Sequence, residues 1–436
     1  MTETLVFTMR AMGAVVDVFA QSDVSSRFID SLVASWADCK PQRASSPTSD
    51  PMPGHVTIAL VTEDRPFHQL SEAAGEPISA VVVSDADIAT AAQEFTSAVT
   101  LALIRHHVVK LHLFHSASLM NPETGEVVAL VGPSGRGKTT AARVLARTGW
   151  VYLSDETCAI DPNTLRVVPY LKPLSIIQRS GEPKAQIAAS ELGLRTVGRA
   201  GGPEPRLAHI VILRRGGELS AANSNFESGS SGEHPESAQG VSNMPLLNGL
   251  QALAEQSSGL ARTPDGLRGL ALLADRVGGI RVVDYREASD LPDLLSELAN
   301  QSPAEEEWRY FPPAEPYWDM PDTQPPEIRP ETIGPVENSG SFARNSHVCG
   351  IGTDDGALLM HVNRTVIYTR PAADLWIEAG RGKTRQELEN KLSEMYGPPP
   401  EGVFSRLLSE IANDNTIIRV DARGRTAPYI ESEKSV

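Results

Sequence analysis

The chain contains 436 residues, enough for roughly two or three domains that each bury a core. Its net charge of −16 argues against nucleic acid or an anionic membrane as a partner, because attraction to phosphate requires clustered Lys and Arg. Cys39, Cys158 and Cys349 are too few and too far apart for a disulfide framework or a zinc site. The sequence contains neither a signal-peptide pattern nor an apolar run of membrane-spanning length, so a cytoplasmic protein is expected.

The first 110 residues predict a mixed α/β segment. Residues 86–108 are rich in Ala and have a broad apolar face, which predicts a long helix, and a shorter helix is expected at 26–37. Apolar, β-branched runs predict strands at 14–19, 55–61 and 78–83. We expect this segment to lead directly into a nucleotide-binding sheet rather than to fold alone.

A strand, a hairpin turn and a second strand precede a glycine-rich loop. Residues 110–119 alternate, residues 121–125 are typical of a turn, and the apolar run 127–131 ends at Gly132. The sequence GPSGRGKTT at 132–140 has the P-loop spacing, and a helix is predicted at 138–147.

The P-loop pattern predicts a phosphate site, because its backbone N–H groups and the helix N-terminus are directed at the same anion. Lys138 would reach the β- and γ-phosphates, and the Thr139 hydroxyl would bind Mg²⁺. The alternative is a Gly-rich turn with a solvated lysine. The predicted nucleotide-binding residues are Gly132, Pro133, Ser134, Gly135, Arg136, Gly137, Lys138, Thr139 and Thr140.

Two adjacent carboxylates, Asp155 and Glu156, follow a short apolar strand that begins at Trp150. A carboxylate at the carboxyl end of a strand near the P-loop can hold Mg²⁺ or accept the proton of an attacking hydroxyl. A solvated pair that caps a turn is the alternative. The histidines at 106, 107, 112 and 115 have no acidic or Cys ligand beside them, so they do not predict a metal site.

Together, His115, the GPSGRGKTT loop and LSDE at 153–156 resemble the C-terminal kinase domain of HPr kinase/phosphorylase and its smaller relatives in peptide-modification clusters. The resemblance covers residues 111–161. It implies that His115 approaches the phosphates, that Asp155 is the base for a serine hydroxyl, and that Glu156 assists the metal. Lys138, Asp155 and His115 would then be the catalytic residues, Thr139, Asp155 and Glu156 the Mg²⁺ ligands, and ATP or GTP the nucleotide. The family usually has Asp where this chain has Glu156, and no counterpart of its phosphorylase segment is present, which leaves that activity open.

Two segments of biased composition interrupt the chain. Residues 216–242 are rich in Ser, Gly, Glu and Asn, which predicts a disordered insertion in a kinase-like domain spanning 111–300. Residues 301–345 are Pro-rich and acidic, as is typical of a linker. The aromatic side chains of this linker, such as Trp308 and Tyr310, indicate that part of it lies on a domain surface or forms a recognition segment.

The C-terminal block, residues 346–430, predicts three strands, three helices and a last short strand, a winged-helix-like α+β domain. Helices are predicted at 372–379, 384–396 and 401–412, the second starting with a Thr384/Glu387 capping box. The third helix region carries three acids against one arginine, which does not suit a DNA groove.

PAADLW at 371–376, the helix TRQELENKLSEMYG at 384–397 and LLSEI at 407–411 resemble PqqD and related leader-peptide recognition elements. The resemblance implies that an extended peptide adds as a strand beside the third strand and packs on the third helix. A purely structural winged-helix cap is the alternative. The implied peptide-binding residues are Thr365, Val366, Ile367, Tyr368, Thr369, Phe404, Leu407, Leu408 and Ile411.

The sequence therefore predicts an α/β protein with an HPr-kinase-like P-loop sheet and flanking helices, plus a small C-terminal α+β, winged-helix-like (PqqD-like) domain. The predicted function is an ATP- or GTP-dependent kinase that phosphorylates a hydroxyl side chain of a peptide or small protein captured by that domain. The alternatives are a non-catalytic, nucleotide-gated peptide-binding or assembly protein, and a slow ATPase. The acceptor, the choice of nucleotide and the formation of a homo-oligomer stay open.

Overall fold

The computed structural model describes residues 3–46, 48, 50–62, 78–84, 87–133, 135, 137–176, 184–197, 202–215, 239–317, 341–362 and 364–420. They form a mixed α/β fold with several sheets, divided into two compact units. The first unit comprises Met1–Met244, Gln256–Gly259 and Val277–Pro303, and the second comprises Pro245–Glu255, Leu260–Arg276 and Ala304–Val436. None of the helices within these described ranges combines the length and apolar character that a membrane crossing requires.

The strands and helices predicted within the first 110 residues are confirmed, whereas four short or terminal strands, β1, β3, β10 and β13, were not predicted. The elements up to residue 244 are β1 (Thr4–Ala11), β2 (Ala14–Ala20), α1 (Ser26–Ser35), β3 (Gln42–Arg43), β4 (Val56–Val61), β5 (Ser79–Val82), α2 (Ile88–His107), β6 (His112–Phe114), β7 (Ser116–Met120), β8 (Glu126–Val131), α3 (Lys138–Arg147), β9 (Val151–Ser154), β10 (Cys158–Ile160), β11 (Val167–Val168), β12 (Leu174–Ile176), β13 (Ala185–Ile187), β14 (Arg206–Arg215) and β15 (Gly240–Asn243).

The remaining elements include the three predicted C-terminal helices, each within two residues of its expected bounds. They are α4 (Leu246–Glu255), α5 (Gly266–Arg276), β16 (Ile280–Tyr285), α6 (Leu291–Ser296), β17 (Arg309–Phe311), β18 (Ser341–Arg344), β19 (Val348–Gly352), β20 (Gly356–His361), β21 (Arg364–Thr369), α7 (Ala372–Ala379), β22 (Lys383–Thr384), α8 (Arg385–Tyr396), α9 (Val403–Asn413) and β23 (Ile417–Val420).

A six-stranded sheet in the order β15-β16-β14-β8-β7-β9 carries the glycine-rich loop, which follows β8. Strands β16, β14 and β8 are parallel, whereas β7 runs antiparallel to both β8 and β9. The predicted hairpin of two strands before the loop is confirmed. Since β7 lies between β8 and β9, those two strands point the same way, and their carboxyl ends lie at one edge of the sheet.

The predicted strand 110–119 breaks at His115 into two strands of different sheets. β6 pairs with β10 in a three-stranded sheet, and β7 joins the six-stranded one. The amide of His115 instead donates a hydrogen bond to the carbonyl of Gln256.

The N-terminal five-stranded sheet, in the order β3-β1-β2-β4-β5, shares one apolar core with the six-stranded sheet. Side chains of α2, such as Phe95 and Leu103, are fully buried in this core together with Ala141 and Leu145 of α3. The two sheets are thus packed around common apolar side chains.

The second unit is built on the antiparallel sheet β17-β19-β20-β21. Every residue of β20 is buried, because α7 packs against this strand and α4 packs against it as well. Residues 357 and 359 belong to the core that contains Trp376, whereas the alternate residues 358 and 360 are buried outside it. A strand buried at both alternating positions is covered on both faces.

This division differs from the predicted domain boundaries. Helices α4 and α5, which the sequence assigns to the domain at 111–300, pack against strands of the second unit. Part of the predicted linker is also structural, because β17 pairs with β19 and Trp308 Nε1 donates a 2.9 Å hydrogen bond to Asp275 Oδ2. These contacts join sequence-distant segments, which local composition does not reveal.

The predicted insertion ends earlier than expected. Its last residues, from Gly240, form β15, which pairs antiparallel with β16, so disorder over the whole of 216–242 was wrong. Residues 216–238 of the insertion and residues 318–340 of the linker lie outside the described residues.

Candidate functional site

The loop after β8 has the backbone geometry that its glycines allow. Gly135 and Gly137 adopt φ angles of +82° and +84°, in the left-handed region that favours glycine. Helix α3 then begins at Lys138, so its first N–H groups open onto the loop. Ser134 and Arg136 lie outside the described residues.

Lys138 is folded back over this loop. Its Nζ donates hydrogen bonds of 2.5 Å to the carbonyl of Gly132 and 3.0 Å to the carbonyl of Pro133. The residue is only 6% exposed. Burial lowers the pKa of Lys138, and the negative charges of Glu156 and Asp155 partly oppose that shift. The ammonium group is thus held beside the loop by carbonyl oxygens that a phosphate could replace.

The acid pair and His115 reach the same edge of the sheet for a topological reason. Asp155 and Glu156 directly follow β9, which runs parallel to β8 with β7 between them. His115 directly precedes β7, whose first residue, Ser116, is paired with Val131 at the end of β8. The structure therefore places these groups near the glycine-rich loop, with β7 between β8 and β9.

Asp155 has a carboxylate oxygen that accepts no hydrogen bond from the described residues. The residue is 8% exposed, and the orphaned atom is Oδ1. Leaving a buried carboxylate oxygen without a donor is costly, so such atoms often mark a place for a ligand.

Lys172 completes the charged cluster, and sequence reasoning missed it. Its Nζ lies 2.6 Å from Glu156 Oε2 and 3.8 Å from Asp155 Oδ1, and the residue is 4% exposed. Burial acts to lower the pKa of Lys172, but attraction to Asp155 and Glu156 outweighs it and raises that pKa. The sequence contained one signal for Lys172. Residues 165–177 form a largely apolar run with a single lysine, and a lysine buried in such a run requires a counter-charge.

Histidine 115 has a different electrostatic environment from the acid pair. Its pKa is lowered, first by burial and second by the positive charge of Lys138, with opposing contributions from Glu156 and Asp155. A lowered pKa keeps the imidazole neutral at pH 7. Neutral His115 can therefore exchange hydrogen bonds with a phosphate without adding charge.

These groups line one pocket of about 440 Å³ within the first unit. Helix α2 supplies a polar stripe to its wall at the helical spacing of residues 93, 96, 97 and 100. Beyond this stripe, the side chains and loop residues around the pocket are His115, Gly135, Gly137, Lys138, Thr139, Thr140, Asp155, Glu156, Lys172, Ser175 and Lys184. No sequence motif marks the segments that supply four parts of this lining: α2, Lys172, Ser175 and Lys184.

The donor set of the pocket suits a hard divalent cation that keeps part of its shell for phosphate. The described residues contain no group of three His, Cys, Asp or Glu side chains that could hold a metal by themselves. Asp155, Glu156 and Thr139 line the same pocket, and Asp155 Oδ1 accepts no hydrogen bond from the described residues. Mg²⁺ is commonly bound by one or two carboxylates plus substrate phosphates, so this set fits it.

The predicted peptide-binding residues of the second unit differ in how far they are buried in its own core. Strand β21 is at the edge of its sheet and pairs with β20 alone among the described strands. On α9, however, Phe404, Leu408 and Ile411 are buried in the core of their own unit, and only Leu407 is half-buried. Most of the proposed apolar face is thus occupied by the protein's own packing.

Strand β21 and the end of α9 are joined by Asp414. Its Oδ1 accepts a 2.9 Å hydrogen bond from Arg364 Nη2, and its Oδ2 accepts a 2.8 Å bond from the buried Tyr368 hydroxyl. Val366 also packs against the core, whereas Thr365 and Ile367 are half-buried and Thr369 is exposed. The edge and the helix therefore lie side by side at this end.

No family model and no curated protein matches the chain. Among solved structures, the chain is similar to the Hpr(Ser) kinase/phosphatase from Coxiella burnetii, with 11% sequence identity and a TM-score of 0.22. That alignment covers 43% of this chain and 93% of the other. The structural similarity to a kinase/phosphatase is weak, so the proposals below rest on the geometry of the described residues.

Proposed function

We propose that the chain is a P-loop phosphotransferase of the HPr kinase-like type. It binds ATP or GTP with Mg²⁺ and transfers a phosphoryl group to a hydroxyl side chain. The observation that carries this proposal is the gathering of Lys138, His115, Asp155 and Glu156 around one pocket beside the glycine loop. A Gly-rich turn with a solvated lysine would not bury Lys138 or surround it with these groups.

Each group has a role that follows from its chemistry. The backbone N–H groups of the loop and the Lys138 ammonium bind the β- and γ-phosphates and hold the transferred group in line. Asp155 orients the acceptor hydroxyl and accepts its proton, since its buried Oδ1 accepts no hydrogen bond from the described residues. Bound Mg²⁺ supplies charge neutralisation on the phosphates, with Thr139, Asp155 and Glu156 as the residues that would hold it.

The acceptor in this proposal is a peptide or small protein that the PqqD-like second unit captures. Support comes from the edge position of β21 and its attachment to the end of α9 through Asp414. An edge strand offers unpaired N–H and C=O groups to an extended peptide. Thr365, Ile367 and Leu407 would contact the added strand, while Phe404, Leu408 and Ile411 support the helix from within.

Nucleotide binding by the Lys138→Ala variant tests the proposal. We expect MgATP affinity to fall by at least about tenfold, ~1.4 kcal/mol, because a charge-assisted contact to the phosphates is lost. Isothermal titration calorimetry measures the affinity directly. Lys184→Ala is the matched control, because Lys184 lines the same pocket but is exposed and should change affinity little. Unchanged affinity in Lys138→Ala, or no nucleotide binding by the unaltered protein, contradicts the assignment.

A further inference from the structure

Lys172 occupies a position that the proposed function leaves without a role. Its ammonium lies 2.6 Å from Glu156 Oε2 and 3.8 Å from Asp155 Oδ1, between the two carboxylates assigned to the divalent cation. The only further hydrogen bond of Nζ is a 3.5 Å contact to the carbonyl of Pro173, within the described residues. The acid pair is thus already neutralised in part by a cation that belongs to the chain.

We propose that Lys172 is an internal cation that competes with the divalent metal for the Asp155–Glu156 pair. This inference rests on the proposed function for the identity of the metal site. A divalent ion and an ammonium group cannot both lie in contact with Glu156 Oε2 without strong repulsion, because like charges at close range in a buried pocket interact strongly. Lys172 therefore opposes entry of the free metal ion.

The charge balance of the pocket explains how the metal would be accepted with nucleotide. Two carboxylates face two buried ammonium groups, Lys138 and Lys172, so their formal charges cancel. A nucleotide adds several negative charges, which gives Lys172 a second anion to contact and gives the metal phosphate oxygens as ligands. Lys172 then acts as a positioning residue that restricts loading to the metal–nucleotide complex.

The location of Lys172 in the fold favours this role over ordinary packing. It precedes Pro173 and the short strand β12, whose residue Ser175 lines the same pocket. Replacing a lysine here by an apolar residue would leave two carboxylates close together with one internal counter-ion removed. Lys172 is also within ion-pair distance of Asp155 Oδ1, which accepts no hydrogen bond, so its charge acts on both carboxylates.

The test measures Mn²⁺ binding to the full-length protein without nucleotide, by electron paramagnetic resonance of the free ion. We expect Lys172→Met to bind Mn²⁺ at least about tenfold more tightly than the unaltered chain, since the competing charge has been removed. Adding Glu156→Gln to that variant should reverse the gain. Lys172→Arg, which keeps the charge, and Lys110→Met, which removes an exposed lysine outside the pocket, should both leave Mn²⁺ affinity close to that of the unaltered chain.

Thermal unfolding keeps the test decisive if Lys172→Met is unstable. Mn²⁺ should then raise the melting temperature of Lys172→Met but not that of the unaltered chain, because a ligand stabilises the state that binds it. Equal or weaker Mn²⁺ binding by Lys172→Met, with no thermal stabilisation, overturns the inference. Because no nucleotide is present, this result is independent of the Lys138→Ala experiment, and either proposal can fail without the other.

Discussion

The pocket beside the glycine-rich loop keeps a buried polar atom without a hydrogen-bond donor, whereas helix α9 commits most of its apolar side chains to a core. In the pocket, Asp155 Oδ1 has no hydrogen-bond partner among the described residues. On α9, Phe404, Leu408 and Ile411 are each at most 4% exposed. The two regions therefore differ in one respect: the apolar side chains of α9 are already packed within the protein, whereas the carboxylate oxygen of the pocket still lacks a hydrogen bond.

This difference indicates how to weigh a candidate binding residue. A buried carboxylate oxygen without a donor costs free energy, so its retention favours a ligand role. An apolar residue at helical spacing lowers the free energy of the folded state by itself, so its presence says little about a partner. Among the four apolar side chains of α9 proposed to bind peptide, only Leu407 retains partial exposure.

The sharpest test of the comparison is Leu408→Ala. Leu408 is fully buried in the core of the second unit, so its truncation should cost about 3 kcal/mol of unfolding free energy through lost burial and a cavity. Hydrogen exchange in fragments from residues 341–420 reports the stability of this unit separately from the first. Leu407→Ala is the neighbouring control, with an expected loss below about 1 kcal/mol, because Leu407 is only half-buried. Similar losses at both positions would show that α9 does not divide its faces as described.

Local patterns predicted the elements well where one segment contains all the necessary information. The Thr384/Glu387 capping box forms as expected, with Thr384 Oγ1 accepting from the amide of Glu387, and α3 begins at Lys138. Both features depend on residues within one turn of each other. The break of the strand at His115 could not be predicted in this way, since it depends on a hydrogen bond to Gln256.

The site was predicted only where a motif marks it. The glycine loop and the adjacent acids have recognisable spacing, so Lys138, Asp155 and Glu156 could be named from the sequence. No local pattern marks the other lining residues, which are Lys172, Lys184 and the polar stripe of α2. Long-range packing brings them to the pocket, and residues of these types are common on protein surfaces. Assigning α4 and α5 to the wrong unit has the same cause, because their apolar faces do not specify which sheet they cover.

The second prediction concerns Asp155, whose buried Oδ1 accepts no hydrogen bond from the described residues. If Asp155 orients and deprotonates the acceptor, Asp155→Asn should lower phosphoryl transfer by roughly a hundredfold or more and leave MgATP affinity within a few-fold. Transfer of labelled phosphate from ATP to peptides encoded beside the gene measures the first quantity, and calorimetry measures the second. Glu156→Gln is the matched comparison, since Glu156 is bonded to Lys172 whereas Asp155 Oδ1 accepts no hydrogen bond. An active Asp155→Asn variant beside an inactive Glu156→Gln variant would move the role of base to Glu156.

The third prediction tests Leu407, the half-buried member of the four α9 residues predicted to bind peptide. Leu407→Glu should weaken binding of a peptide encoded beside the gene by roughly tenfold, ~1.4 kcal/mol, because a charge replaces an apolar contact next to the added strand. The fold should persist, since Leu408 and its neighbours still fill the core. Fluorescence anisotropy of a labelled peptide gives the affinity, and hydrogen exchange of β21 in the complex shows whether an extra strand protects its free edge. Met395→Glu serves as the control, because Met395 is an exposed apolar residue on α8, 47% accessible, that was not predicted to contact peptide. Equal weakening by both substitutions would contradict the assignment of β21 and α9 as the peptide site. Protection of β21 that does not change when peptide is added would contradict it as well. The proposed kinase would then lack its route to a peptide substrate.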